Sequence, residues 1–328
     1  MKCPTLSELP QPSTDKKGWP WVEESSPFCE CRSTHIVWPR VSIVTPCFNS
    51  GLYLEECIRS VLLQGYPDLE YIIMDGGSSD DSVEIIKKYE KWLAYWESLP
   101  DHGQSHAINK GLTKCTGTYF NWHNADDILL PGSLFQTVEG FHKYPDAGYI
   151  SRTRLLLEGG RVYPKTNAPL PGLINLERSI ITTCPGSQPG GLLDRNLVVR
   201  VGKLDEGLHC SMDEDLMLRM RLEAPGYYIE NPGFIFRIHK DQKSRVLTKL
   251  RVKEKFIISR KIFAGLRKDD PLRGLEIDAR IFAHRHGAGL HRASNHLFPA
   301  LWHSFLAKFL LIKKFFLPQT GQKGMTCS

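Results

Sequence analysis

Between Val41 and Asp127 short apolar runs alternate with amphipathic stretches, and the runs end in polar, mostly acidic clusters. Val41-Ser42-Ile43-Val44 reads as a strand that gives way to Thr45-Pro46. A helical pattern follows, with Leu54, Ile58, Val61 and Leu62 on one face. Leu69 to Met74 reads as a second strand, closed by Asp75-Gly76-Gly77-Ser78, and Asp80 or Asp81 can cap the next helix. Leu93 to Trp96 predicts a third strand, Ser105 to Leu112 a helix, and Thr118 to Trp122 a fourth strand running into Asn124-Ala125-Asp126-Asp127. Strands and helices alternating this closely predict an α/β fold: a doubly wound, mostly parallel sheet with helices on both faces. Ligands bind such sheets beyond the carboxyl ends of the strands. Thr45, Asp75, Asp101 and Asp126 are all expected there, on one edge.

Outside this region the pattern changes. Residues 1–39 are rich in Pro, Ser and charge without a sustained period, and read as an irregular or flexible leader. Residues 40–245 form the expected catalytic unit, with further helices over Arg195 to Val201 and Asp213 to Leu222. Residues 246–328 read as a basic, mainly helical C-terminal extension, with a helix from about Val246 to Leu266. The net charge of +6 is unevenly divided. Lys240 to Ser328 holds 19 Lys and Arg against 6 Asp and Glu, whereas the preceding residues hold 23 against 30. A basic tail on an acidic body suggests an anionic partner: membrane headgroups or a phosphate-bearing acceptor would fit, and no nucleic acid is expected although charge alone would allow it. The alternative is a solvated basic helical face.

Leu297 to Leu317 mixes Phe298, Trp302, Phe305, Phe309, Phe315 and Phe316 with Lys308, Lys313 and Lys314. It can lie in a membrane interface or pack on the body. No secretory leader and no apolar run of membrane-spanning length is evident. Nine scattered cysteines without metal-ligand spacing point to reduced thiols. The expected place of work is cytoplasmic, peripheral on the inner face of the cell membrane.

Three clusters carry the chemistry. Asn124-Ala125-Asp126-Asp127 sets two acids at a strand end, where a divalent cation, Mn²⁺ or Mg²⁺, would offset their charge. A helix cap would also explain one of them. In Asp75-Gly76-Gly77-Ser78 the glycines allow close approach of a ligand to the backbone, and Asp75 can accept from a base N–H. Without a ligand the same residues make a turn. Met212-Asp213-Glu214-Asp215 opens a helix with three acids, more than a cap needs. One of them can take a proton from a hydroxyl.

The ordered set, together with Tyr53-Leu54-Glu55-Glu56-Cys57-Ile58-Arg59-Ser60-Val61-Leu62 and Asp101-His102-Gly103-Gln104-Ser105-His106-Ala107-Ile108-Asn109-Lys110-Gly111, resembles the GT-A family 2 of inverting glycosyltransferases. The resemblance spans roughly residues 40–245 and is nearest the bacterial branch that builds polysaccharides and surface glycans. It implies a nucleotide-diphospho-sugar donor, a divalent cation, and a saccharide or lipid-linked acceptor. Thr45, Pro46 and Phe48 would line the base pocket, beside Asn49 and the Asp75-Gly76-Gly77 turn. Asp101, Gln104 and Lys110 would hold the nucleotide-sugar, together with Asn124, Ala125 and Asp126. Asp126, Asp127 and His239 would serve the metal, and Asp213 the base, with Asp215 the second choice.

The chain departs from the family pattern in three places. Phe48 stands where Tyr is usual, Asn124 where the first acid of Asp-x-Asp often occurs, and Met212 where the base motif carries Glu. Two other readings remain. A sugar-nucleotidyltransferase would want a basic phosphate loop at Thr45-Pro46-Cys47-Phe48-Asn49, which holds no basic residue. A nucleotide- or glycan-binding protein on the same fold fits the departures at Asn124 and Met212.

Overall fold

In a computed structural model, residues 3–25, 38–165, 169–240, 242–243, 247–293 and the four positions 304, 306, 307 and 310 are described. Strands β1 (Val41–Cys47), β2 (Leu69–Asp75), β3 (Tyr95–Ser98) and β4 (Tyr119–Trp122) alternate with helices α1 (Gly51–Leu62), α2 (Ser82–Tyr89) and α3 (Gln104–Lys114). They lie side by side in the order β3-β2-β1-β4, every pair parallel. β1 runs two residues beyond the expected Thr45, and β3 starts two residues later than Leu93.

The second half adds β5 (Ile128–Leu129), α4 (Ser133–Lys143), the hairpin of β6 (Tyr149–Glu158) with β7 (Arg161–Pro164), and β8 (Gly172–Leu173). Then come α5 (Leu176–Thr182), β9 (Leu192–Asp194), α6 (Arg195–Arg200), α7 (Met212–Glu223) and β10 (Gly226–Arg237). These extend the sheet from β4 in the order β9-β6-β10-β5, with β9 antiparallel to both neighbours and β6 parallel to β10. The fold is thus the expected α/β one, a mixed but mostly parallel sheet with helices on both faces.

Side chains alternate across a strand, and β1 divides two cores accordingly. Val41, Ile43 and Cys47 join Leu54, Ile58 and Val61 of α1 on one face, while Val44 joins Ala107, Ile108 and Leu112 of α3 on the other. Gly111 lets α3 approach closely, since a Cβ there would meet Val44 Cγ1 at 2.6 Å.

Residues 3–25, expected as an irregular or flexible leader, hold one 3-10 turn at Leu6–Glu8 but are docked on the body. Cys3, Leu9 and Trp21 are buried. The fully buried Arg59 of α1 donates from Nε to Pro20 O (3.0 Å), from Nη1 to Pro10 O (2.8 Å) and from Nη2 to Trp21 O (3.0 Å). Burying a guanidinium without an acid is costly unless its N–H groups are met, and the leader's carbonyls meet them.

After β10, α8 (Thr248–Gly265) and α9 (Glu276–Ala293) pack on one another, and α8 also contacts α7. The described part of the expected C-terminal extension, residues 247–293, is mainly helical, and its first helix packs on the body. Among the described residues no helix is long and apolar enough to cross a membrane. The six described cysteines are free thiols. Most of the aromatic segment Leu297 to Leu317 lies outside the described residues.

Candidate active site

A cleft of about 1100 Å³ opens along the carboxyl edge of the first strands and continues between β6, β10 and the start of α7. On one side it is walled by Pro46, Phe48, Asn49, Gly76, Asp101 and Gln104. Phe48 is 63% exposed although apolar, which leaves its ring free to face a flat ligand. Asn49 takes a left-handed φ of 47° and ties β1 to the β2–α2 loop, accepting from Ser79 N at 2.9 Å through Oδ1. A Cβ at Gly76 would meet Asp101 Oδ2 at 2.8 Å and push that side chain aside, and Gly77 takes a left-handed φ of 83° that favours glycine.

Two expected wall residues face elsewhere. Thr45 is fully buried and hydrogen-bonds Tyr71 (Oγ1 to OH 3.0 Å), because its odd position on β1 points toward α1. Asp75 is buried and already accepts from Gly77 N, Ser78 N, Ser78 Oγ and Ser98 Oγ, at 2.5 to 3.1 Å. It shapes the turn and does not line the cleft. Gly77 likewise packs on Pro100, outside the wall. Lys110 is also displaced from its expected place: it forms an ion pair with Glu97 and is absent from the lining.

At the end of β4, Asn124, Ala125 and Asp126 line the cleft, and Asp127 does not. Asp127 is 1% exposed and accepts from Arg237 N (3.2 Å) and Asn124 Nδ2 (3.2 Å). Burial, and then the neighbouring Asp126 charge, push its carboxyl well above the usual range. An enclosed carboxyl that is absent from the cleft lining is poorly placed to reach an ion there, so the geometry does not support Asp127 as a metal ligand. Asn124 is engaged on both sides of its amide: its Oδ1 accepts from Gln104 Nε2 at 2.9 Å and its Nδ2 donates to Asp127.

Asp126 and His239 do come together. His239 Nε2 lies 3.0 Å from Asp126 Oδ2, and both line the cleft. Tyr53 flanks the imidazole with ring centroids 5.1 Å apart. Arg237, two residues earlier, donates from Nε to Asp126 O (3.0 Å) and pairs with Glu56 (2.6 Å). Sequence reasoning assigns neither Arg237 nor Glu56 a role, although Glu56 falls inside the motif from Tyr53 to Leu62 and Arg237 stands two residues before His239. Among the described residues no group of three or more His, Cys, Asp or Glu side chains gathers as a metal cage. One carboxylate oxygen and one imidazole nitrogen fit a dication that draws its other ligands from phosphates and water.

On the opposite wall the N-terminus of α7 presents Asp213 and Glu214. Burial, reinforced by the Glu214 charge, raises the Asp213 carboxyl to about 6. The helix N-terminus acts in the other direction, so burial wins. Glu214 is occupied by Lys255 (2.7 Å) and Arg251 (3.5 Å) of α8. Asp215, the second choice for base, is fully buried behind the helix in ion pairs with Arg219 (2.6 Å) and Lys261 (3.1 Å). A helix turns 100° per residue, so Asp213 and Asp215 point to nearly opposite sides. Gln188 and Pro189 also line the cleft, with Gln188 Nε2 donating to Trp122 O at 2.6 Å.

A mostly parallel sheet with a cleft on its carboxyl edge, an acid–imidazole pair at one strand end and a half-buried acid facing it, is an arrangement of the GT-A type of fold. Residues 42–198 match the family model described as Glycosyl transferase family 2. Over 226 residues it is 27% identical to an uncharacterized glycosyltransferase of Rickettsia felis, a match covering 65% of this chain and 36% of that protein. The chain thus spans about a third of that relative's length. Among solved structures it is similar to Staphylococcus aureus TarS 1-349 in complex with UDP-GlcNAc, with 14% identity, a TM-score of 0.56, and 82% of this chain and 92% of that one covered. It is also similar to the mannosyltransferase PcManGT from Pyrobaculum calidifontis in complex with GDP-Man and Mn²⁺, with 17% identity, a TM-score of 0.57, and 89% and 83% covered. At such identity these two show the shared fold.

Proposed function

We propose that the chain is an inverting glycosyltransferase that moves a sugar from a nucleotide diphosphate donor, a UDP-sugar first, to a hydroxyl of a growing glycan, lipid-linked saccharide or polysaccharide precursor. The observation that carries this reading is Asp213, raised to about 6 and opening on the same cleft as Asp126 and His239. A general base works best when its pKa lies near the operating pH. Glu214 and Asp215, by contrast, are both engaged in ion pairs.

In this reading Phe48 and Pro46 pack the base and the Gly76 turn lets the nucleoside approach the backbone. Asp101 and Gln104 then hold the donor. Asp126 and His239 hold a Mn²⁺ or Mg²⁺ ion, whose chemistry is to offset charge on the departing diphosphate. Asp213 takes the proton of an acceptor hydroxyl aligned behind the anomeric carbon, which inverts that centre. GDP-Man with Mn²⁺ and UDP-GlcNAc in the two structural neighbours support this class of donor and cofactor.

The basic region after Lys240 supports work at the inner face of a membrane, the chain binding peripherally to anionic lipid. Both parts are tested with purified full-length protein. Nucleoside diphosphate release is measured from UDP-, GDP- and dTDP-sugars with and without Mn²⁺. Intact nucleotide binding without turnover of any donor would leave a binding protein on this fold. Co-sedimentation with anionic vesicles that survives removal of residues from Leu297 onward would refute the aromatic tail as anchor.

A further inference from the structure

The donor-side residues come from β1, β2, the loop after β3, and β4. The far half of the cleft is built differently. Arg154 and Thr153 of β6, Lys165 just after β7, Cys184, Ser187, and Arg251 of α8 line it, close to Asp213. β6 lies two strands from β4, with β9 between them, hence about 10 Å away at the usual strand spacing. Its cations are therefore set apart from the strand that carries Asp126.

Arg152 and Arg154 show what is unusual. Arg152, fully buried, has its guanidinium met by Asn231 O, Ser133 O, Thr137 Oγ1, Gln136 Oε1 and Pro232 O. Arg154, two residues on and on the same face of β6, has a buried Nε with no hydrogen-bond partner among the described residues. Its guanidinium lies over the Phe236 ring, 4.8 Å from the centroid, and no carboxylate among the described residues pairs with it. Burial lowers the pKa of Arg154. Like charges gathered at a low-dielectric wall repel one another, and the acid whose charge acts on Arg154, Asp127, lies outside the cleft lining and makes no ion pair with it among the described residues. Glu214, the acid on this side besides Asp213, is already shared by Lys255 and Arg251.

We infer that this half of the cleft is an oxyanion subsite for a phosphate group on the acceptor, held by Arg154 with Lys165 and Arg251 beside the base Asp213. The planar guanidinium presents paired N–H donors to a phosphate, and its aromatic backing fixes its plane. The acceptor class is accordingly a phosphate-bearing saccharide, polyol or lipid-linked sugar. This rests on the proposed transfer reaction, because it assigns the acceptor half of that same cleft.

The test uses the full chain saturated with UDP and Mg²⁺, titrated with inorganic phosphate and followed by ³¹P NMR. Phosphate is expected to bind without displacing UDP. Arg154→Gln should weaken it about tenfold, the worth of one or two charged hydrogen bonds, and weaken UDP binding far less. Lys165→Gln, at an exposed residue that leaves the fold intact, should weaken phosphate about threefold, the scale of a partly screened charge. Phosphate that competes with UDP, or binds both variants as well as the native protein, overturns the subsite. Glucuronate binding in place of phosphate overturns the phosphate assignment in favour of a carboxylate acceptor. A chain that binds phosphate in this Arg154-dependent way but never UDP sinks the donor reading and leaves the anion subsite standing.

Discussion

His239 Nε2 and Asp126 Oδ2 meet at 3.0 Å across the mouth of the cleft, joining the end of β4 to the residues that follow β10. The two are 113 residues apart in the chain, and both are held from behind. Arg237 grips the Asp126 carbonyl, and Tyr53 flanks the imidazole. Residues fixed this way are organised before any ligand arrives, which is what a metal or diphosphate site requires.

Metal binding should therefore depend on Asp126 and His239 and be indifferent to Asp127. Asp126→Ala or His239→Ala is expected to lower Mn²⁺ affinity, measured calorimetrically with UDP present, by about tenfold or more. Chelation with EDTA should abolish sugar transfer, and added Mn²⁺ should restore it. Asp127→Asn should keep Mn²⁺ affinity within about threefold of the native value, roughly 0.6 kcal/mol. A Mn²⁺ affinity unchanged by both Asp126→Ala and His239→Ala would remove the pair from the metal site.

The Asp213 assignment sets both a pH profile and a stability profile. A base must be unprotonated to work, so kcat/KM should fall tenfold per pH unit below about 6 and level off above it. Asp213→Asn should abolish transfer, whereas Asp215→Asn should damage stability through the stranded Arg219 and Lys261. Because the folded state raises the carboxyl from 3.8 to about 6, it binds the proton more tightly than the unfolded chain does. The charged form thus destabilises the fold, with no effect below about 3.8 and the full effect above about 6. The Asn variant should therefore melt higher than the native protein at pH 8 and equally at pH 4. An Asp213→Asn enzyme with native turnover would falsify the assignment.

How far the sequence led is visible in the same residues. Asp101, Asn124 and Asp126 were legible because each follows a strand, and a parallel sheet gathers strand ends on one edge. Thr45 and Asp75 share that position along the chain, but facing is decided by strand parity and by the turn that Asp75 folds around itself. Asp213 and Asp215 were indistinguishable as adjacent acids, since only the packed helix shows which side is core. Arg154, Arg251 and Glu254 lay beyond local pattern altogether. Their roles come from contacts between segments distant in sequence, such as Glu254 with the loop ahead of α7. The docked leader was missed for a related reason: its ties are backbone carbonyls to Arg59, which leave no trace in its own periodicity.

Asn124 invites the opposite substitution. Restoring an acid there, Asn124→Asp, looks like a route to stronger metal binding, but the local bonds argue against it. The Asn124 Nδ2 donates to the buried Asp127 carboxyl. Replacing it with a carboxylate sets two acids together and removes a donor, a loss of about 1–3 kcal/mol. The variant is expected to melt several degrees lower at pH 8, with most of the loss recovered at pH 5, where the added proton bridges the pair. Thermal melts at the two pH values decide this, and a melting point unchanged at pH 8 would contradict it.

Glu254 should control the base without touching substrate. It is buried on α8, and its carboxylate accepts from His209 N (2.7 Å), Cys210 N (2.8 Å) and Ser211 N (2.8 Å). Those three amides lead directly into α7, whose first turn carries Asp213. Charge-assisted hydrogen bonds contribute about 1.5–3 kcal/mol each and are not additive. Glu254→Ala should therefore cost about 3 kcal/mol or more of stability in denaturant melts. Glu254→Gln keeps the shape and one acceptor oxygen, so it should fold and retain UDP affinity. Its kcat should fall several-fold, and the acid limb of its pH–rate profile should shift, because the turn holding Asp213 is no longer pinned. A Gln variant with native kcat and an unmoved acid limb would reduce Glu254 to a fold-stabilising residue. A chain truncated after residue 245 should lose the same three bonds along with α8, and so should lack transfer activity even with every family motif present.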